Sequence, residues 1–274
     1  MTSIAFQLNE SWDRSGSLLC VGLDPEPSRF PGRMRGDASS TITFCNAIVD
    51  ATKDLVCAYK PQIAYFSAFG GEQALEAVIT HIREVAPGVP VILDAKRGDI
   101  GPTAQQYARE AFDRYGADAV TVNPYLGYDT IEPFVERGSV FVLCRTSNPG
   151  SGDLQSLEVN GEPLYRRVAR ELCTRFADSG RLGLVVGATY PEELGEVRRA
   201  VGTVPLLVPG VGAQGGDAEG VGPAMTAAGG VVVNSSRAVL YASEGTDFAE
   251  ASRAVALATR DALAAVHRNI PPTA

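Results

Sequence analysis

Short runs of apolar, often β-branched residues recur along the whole chain, and each is followed by a stretch with helical spacing. The runs that read as strands are Leu18–Leu23, Val56–Tyr59, Val89–Leu93, Ala119–Val122, Val140–Leu143, Leu182–Val186, Val204–Val208 and Gly230–Val233. Continuous apolar runs of this length suit strands covered on both faces, as in a parallel sheet. Between them, Ile42, Cys45, Ile48, Val49 and Leu55 share one helical face, as do Leu75, Val78, Ile79, Ile82 and Val85. Further helices are predicted over Tyr107 to Tyr115, Leu164 to Phe176 and Phe248 to Val266. Strict alternation of buried strand and helix predicts an α/β protein with a parallel sheet. Eight such units in 274 residues predict a single-domain (β/α)8 TIM barrel spanning 1–274, with an open doubly wound sheet as the alternative. Two connections are long, 24–41 after the first strand and 146–163 after the fifth. Both follow strands, so both are expected at the face where barrel sites are built.

The polar residues that end the strands are the next layer of information. The first strand ends at Asp24, the second at Lys60, and the third at Asp94 and Lys96 with Asp99 in the loop beyond. The fifth runs into Arg145-Thr146-Ser147, the seventh into Pro209-Gly210-Val211-Gly212, and the eighth into Asn234-Ser235-Ser236-Arg237. Any one of these charges alone would usually be a solvated loop residue or a helix cap. As a set they converge on one mouth of the barrel. Within Leu93-Asp94-Ala95-Lys96-Arg97-Gly98-Asp99-Ile100, strand alternation predicts that Asp94 and Lys96 point the same way. Charges buried so close together are unfavourable unless they pair. Carboxylates on either side favour the ammonium form of Lys96, which suits proton donation better than Schiff-base chemistry. Asp94 would then face whatever group the substrate presents there, and if that group is a carboxylate the two negative charges repel. Loss of carbon dioxide would relieve that repulsion, and Lys96 would stabilise and protonate the carbanion left behind.

Gly210, Gly212 and Gly215 form a G-x-G-x-x-G between a strand and a helix. A dinucleotide fingerprint belongs in the first βα unit and is followed by an acidic residue for the ribose, neither of which holds here. The loops after the seventh and eighth strands of a barrel commonly hold phosphate, so a phosphate cradle completed by Arg237 fits better. A net charge of −8 argues against a nucleic-acid surface. The only two histidines, His81 and His267, fall in predicted helices, and no His/Cys cluster suggests zinc. Carboxylates at Asp24, Asp94 and Asp99 leave a magnesium site open, although the intervening lysines argue against it. Cys20, Cys45, Cys57, Cys144 and Cys173 are odd in number with apolar neighbours, as expected of free buried thiols in a reducing cytoplasm. The N-terminus lacks a signal-peptide pattern, and no apolar run approaches the ~18–20 residues of a membrane span.

Asp94-Ala95-Lys96-Arg97-Gly98-Asp99-Ile100 resembles the Asp-x-Lys-x-x-Asp signature of the orotidine 5′-phosphate decarboxylase family. The resemblance extends over nearly the whole chain, through Val21-Gly22-Leu23-Asp24, Tyr59-Lys60-Pro61, Thr146-Ser147-Asn148-Pro149-Gly150 and Pro209 to Gly216. It implies cofactor-free decarboxylation of orotidine 5′-phosphate to uridine 5′-monophosphate, without metal, in pyrimidine biosynthesis. Lys60, Asp94, Lys96 and Asp99 would form the charge network, with Lys96 protonating carbon 6. Asp24 and Lys60 would contact ribose hydroxyls, and Ser147 would read the pyrimidine edge. Gln214 would bridge base and phosphate, and Ser236 and Arg237 would join the glycines of the phosphate loop. Asp99, Ile100 and Thr103 would cross into a neighbouring site, making the enzyme a homodimer. The long inserts and the Asn-Ser-Ser-Arg run, where many relatives have Gly-Arg, resemble the longer bacterial branch and leave the backbone phosphate donors open. A magnesium-dependent decarboxylase or aldolase acting on a sugar phosphate such as 3-keto-L-gulonate 6-phosphate shares the motif. A catalytically silent nucleotide-binding barrel is a further alternative.

Overall fold

The computed structural model describes residues 3–210, 218–227 and 230–270. Eight parallel strands form the sheet: β1 (Leu19–Leu23), β2 (Ala58–Pro61), β3 (Ile92–Arg97), β4 (Ala119–Val122), β5 (Ser139–Arg145), β6 (Leu182–Val186), β7 (Leu206–Pro209) and β8 (Val231–Ser235). Their order is β2-β1-β8-β7-β6-β5-β4-β3. Bridges from Tyr59 to Val91 and from Gln62 to Asp94 close β2 onto β3, completing the predicted barrel. Apolar residues of β1, β4, β6 and β8 are buried throughout, which explains their unbroken hydrophobic character.

Most of the predicted helices are present, including Thr41–Thr52, Glu72–Val85, Leu164–Phe176 and Phe248–Arg268. The predicted helix around Tyr107 to Tyr115 starts earlier, as Gly101–Arg109, and ends in a π-turn over Glu110–Arg114. Between β7 and β8 no α-helix is found among the described residues; the 3-10 segment Ala218–Ala224 stands there instead. Gly220, Gly222 and Pro223 within it oppose a regular α-helix.

One helix was not anticipated. Ile4–Ser15 is capped by the Ser3 hydroxyl and ended by Gly16 in the left-handed region, at φ 60°. Its buried stripe is Ile4, Leu8 and Trp12. It lies across the strands' amino ends. The Ile4 N–H donates to Ser139 Oγ at 3.1 Å, Ser11 Oγ to the Cys57 carbonyl at 2.8 Å, and Gln7 Nε2 to Asp118 Oδ1 at 2.9 Å. That end of the barrel is stoppered, so the open mouth is at the carboxyl ends.

Both long connections are ordered by local structure. The first has three 3-10 turns, and its Phe30 is buried in a stack on Phe44 with ring centroids 4.4 Å apart. The second carries the turn Pro149–Ser151, the short helix Gly152–Gln155 and a tight hairpin pairing Glu158–Val159 with Glu162–Pro163. Asn160 and Gly161 supply the positive φ values that this two-residue turn needs.

Candidate functional site

The strands extend further toward the mouth than the apolar runs suggest. β3 continues through Asp94, Ala95, Lys96 and Arg97, and β8 continues to Ser235. In β3 the ladder is irregular. Leu93 pairs with Val120 and Arg97 with Val122, so three residues bulge opposite Thr121 alone. Lys96 takes φ 47°, in the left-handed region that a residue with a Cβ rarely adopts. Such strain persists only where the surroundings impose it. Here Thr121 imposes it: its Oγ1 accepts the N–H groups of Ala95 at 3.0 Å and Lys96 at 2.8 Å, and donates to Asp94 Oδ1 at 2.9 Å. Asp94 and Lys96 therefore meet through a bulge and not through simple alternation.

Asp94 is at the centre of the site. Lys60 Nζ donates to its Oδ2 at 2.7 Å, and Lys96 Nζ to its Oδ1 at 2.6 Å. Asp94 and Lys60 are both buried, with side chains 9% and 6% exposed, whereas 48% of the Lys96 side chain is open to the mouth. Burial alone would push the Asp94 carboxyl up, but Lys60 and then Lys96 hold it well below the usual carboxylate range. Burial alone would likewise lower Lys60; Asp94, with a contribution from Asp24, instead holds its ammonium above the usual range. The arrangement is a fixed carboxylate between two cations, one of them presented to the cleft.

Two adjoining cavities, of 430 and 440 Å3, share Lys60, Asp94, Ser147, Asn148 and Pro209. Together they have room for a small molecule of nucleotide size. One end contains Lys96 and Thr121 over an apolar floor of Leu143, Val185 and Leu207. The other contains Asp24, Gly210, Asn234, Ser236 and Arg237. Ser236 Oγ donates to Asp24 Oδ2 and lies 3.2 Å from the Gly22 carbonyl. Gly22 has to be glycine, because a Cβ there would stand 2.9 Å from both Asn234 and Ser236. Gly210 sits at φ 102°, which also requires glycine. Arg237 is exposed, and its guanidinium has no hydrogen bond or ion pair to any described residue.

Several expectations need correction or qualification. Asp99 does not join the network of its own chain: its Oδ1 accepts the Ile100 N–H at 2.8 Å, and it pairs with no cation among the described residues. The bulge sends the chain out of the barrel at Arg97, so Asp99, Ile100 and Thr103 lie outside both cavities. Arg145 is absent from the cleft as well, its guanidinium buried against Glu193 and Ser151. Gly212, Gln214 and Gly215 lie outside the described residues. Thr121, Asn148 and Asn234 line the cleft without having been singled out as site residues. Thr121 had a signal, being the one polar residue of an otherwise apolar strand. The cysteines are unpaired, and burial pushes the Cys57 and Cys144 thiols up to about 12. His81 and His267 face Asp50 and the Thr226 carbonyl on outer helices, away from the mouth. No described helix is long and apolar enough to cross a membrane.

The fold and site define a (β/α)8 barrel with a lysine–aspartate–lysine network at its carboxyl-end mouth, the architecture of a barrel enzyme. Residues 17–254 match the Orotidine 5'-phosphate decarboxylase / HUMPS family, and the chain belongs to that family. An orotidine 5'-phosphate decarboxylase of Dechloromonas aromatica is 59% identical over 262 residues, covering 94% of this chain and 97% of that one. One of Paracidovorax citrulli is 60% identical over 257 residues, covering 91% and 94%. The solved OMP decarboxylase of Leishmania donovani superposes with a TM-score of 0.82 at 38% identity, covering 97% and 99%.

Proposed function

We propose that this chain decarboxylates orotidine 5′-phosphate to uridine 5′-monophosphate, without a cofactor, as a step of pyrimidine biosynthesis in the cytoplasm. The observation that carries the reading is the buried Lys60–Asp94–Lys96 network at the open mouth. The Asp94 carboxylate, held ionised, repels the substrate carboxylate beside it. Breaking the C6–carboxylate bond releases carbon dioxide and leaves its electron pair on carbon 6. Lys96 stabilises that charge and transfers a proton from Nζ to it, and is then reprotonated from solvent through its open side. Binding of the remote phosphate drives substrate into the strained position. Asp24 and Lys60 take the ribose hydroxyls and Ser147 the pyrimidine edge, with Gln214 between base and phosphate. Arg237 takes the phosphate together with Ser236 and the glycines at 210, 212 and 215. A magnesium ion would need carboxylate oxygens, yet both oxygens of Asp94 already accept from Lys60, Lys96 and Thr121.

The reading includes a homodimer, with Asp99, Ile100 and Thr103 completing the partner's site. Its support is the exposure of Phe69, Ile100, Tyr125 and Leu126 on the connections after β2, β3 and β4, strands adjacent in the barrel. Ile100 and Tyr125 are 61% and 77% exposed, unusual for side chains of this size.

The test is the fall in ultraviolet absorbance of orotidine 5′-phosphate in excess chelator. Sustained turnover is expected. Activity confined to a sugar phosphate with magnesium would overturn the assignment. Under the same assay Arg237→Ala is expected to lose about 3 kcal/mol of transition-state stabilisation, roughly 100-fold in kcat/KM. Wild-type kcat/KM in that variant would remove Arg237 from the phosphate site.

A further inference from the structure

Arg145 ends β5 and immediately precedes the loop that carries Ser147 and Asn148 into the cleft. It is nevertheless one of the most buried charges in the protein, 4% exposed. A one-residue irregularity precedes it: Leu143 pairs with Val185 and Arg145 with Val186, leaving Cys144 as the extra residue. The guanidinium forks onto helix Pro191–Val201, Nε donating to Glu193 Oε2 at 2.5 Å and Nη2 to Oε1 at 3.5 Å. Nη1 donates to Ser151 Oγ at 2.5 Å, and the Tyr190 ring lies 4.7 Å from Cζ.

Ser151 is the far end of the loop. Residues 147–150 are exposed, whereas Ser151 is buried. At the near end the Thr146 N–H donates to Gln155 Oε1 at 2.8 Å. Ser147 and Asn148 are thus suspended between two tethers, and the stronger one is the buried Arg145 charge at the end of β5, paired with Glu193 of helix Pro191–Val201. The loop also runs close to β6, since a Cβ on Gly187 would come within 2.9 Å of Ser147 Cβ. Desolvating a guanidinium is unfavourable unless geometry is well satisfied, and this one touches nothing in the cleft.

We infer that Arg145, with Glu193 as its counter-ion, is a positioning residue that holds the 146–151 loop for recognition of the ligand's heterocycle. The inference rests on the functional reading above. It makes Arg145 a determinant of base affinity, separate from the phosphate end and from the charge network. A fork of this kind is not reproduced by lysine.

The experiment compares binding of uridine 5′-monophosphate and ribose 5-phosphate, which lacks the base, by wild type, Arg145→Met, Arg145→Lys and Glu193→Gln. Arg145→Met is expected to weaken the nucleotide roughly 10–100-fold, as loop misplacement of about an ångström does, with ribose 5-phosphate within about twofold of wild type. KM for orotidine 5′-phosphate should rise more than kcat falls, and Arg145→Lys should recover only part of the loss. Glu193 lies at the helix surface, so Glu193→Gln gives the same selective loss in smaller measure even if Arg145→Met fails to fold. Equal weakening of both ligands, or none, in Glu193→Gln and Arg145→Lys would overturn the inference. A wild type inert toward orotidine 5′-phosphate would instead overturn the functional reading beneath it.

Discussion

Replacing Lys96 with alanine is expected to lower kcat/KM for orotidine 5′-phosphate by about 10^5-fold or more. A positioned general acid contributes roughly 10^2–10^4-fold, and a preorganised charge at the developing anion about 10^2–10^3-fold. Lys96 is placed to supply both, since its ammonium is 2.6 Å from Asp94 and open to the cleft. Affinity for uridine 5′-monophosphate should survive, because the product has no carboxylate to face Asp94. Affinity for the substrate should fall, because Asp94 then repels it with only Lys60 to compensate. The backbone gives an independent control. Lys96 sits at φ 47°, a conformation that alanine finds as strained as lysine and glycine adopts freely. Lys96→Gly should therefore be as inactive as Lys96→Ala but more stable by about 1 kcal/mol. Rate assays at matched protein concentration with thermal melts decide the matter; an alanine variant retaining one part in a hundred of wild-type activity would take the proton-donor role from Lys96.

Much of this site is legible in the sequence, and the residues that are not share a reason. Asp94, Lys96 and Lys60 could be found because each interrupts or ends an apolar run, and a charge at the end of a buried strand needs a partner. At β3, β5 and β8 the strands outrun their apolar runs, because apolar patterning stops where side chains begin to face the mouth while backbone pairing continues. The bulge at residues 94–96 carries no composition signal at all. It is visible only as the pairing of Arg97 with Val122, and Thr121, which fills it, is marked in the sequence only as the one polar residue of its strand, with nothing to tie it to residues 94–96. Arg145 shows the converse. Its position at a strand end invites a place in the mouth, but the irregularity at Cys144 sets it against Glu193. The helix Ile4–Ser15 has a plain i, i+4, i+8 stripe in Ile4, Leu8 and Trp12, yet a leading helix is no part of an eightfold strand–helix repeat.

Among the described residues between β7 and β8 the only helical segment is the 3-10 turn Ala218–Ala224, and its anchoring leads to the largest stability effect expected in the molecule. Arg198, on helix Pro191–Val201, ties the 3-10 segment to the entries of both strands. Its Nε donates to the Ala224 carbonyl at 2.7 Å, Nη1 to Gly202 and Val204 at 2.5 and 2.8 Å, and Nη2 to Gly230 at 2.6 Å. Those carbonyls belong to the entry to β7, the end of the 3-10 segment and the entry to β8. Arg198 is 7% exposed and has no carboxylate partner among the described residues. Burial pulls its pKa down to about 10, so it keeps its charge at neutral pH. Arg198→Met preserves the length and apolar bulk of the side chain but leaves up to three carbonyls without donors, since Gly230 still accepts from the Leu206 N–H at 3.0 Å. Each buried orphan costs about 1–3 kcal/mol, although relaxation and water recover part of the sum. A net loss of about 3–5 kcal/mol is expected, which in a domain of this size lowers Tm by on the order of 10 °C. Arg198→Lys should recover less than half of that, since three donors on one nitrogen cannot span four diverging carbonyls. The phosphate end should weaken as well, because the connection carrying Gly210 is anchored on its far side by the Ala224 contact. Calorimetry of the two variants tests the argument: a methionine variant that melts within about 3 °C of wild type would show that water satisfies these carbonyls and that the guanidinium is dispensable.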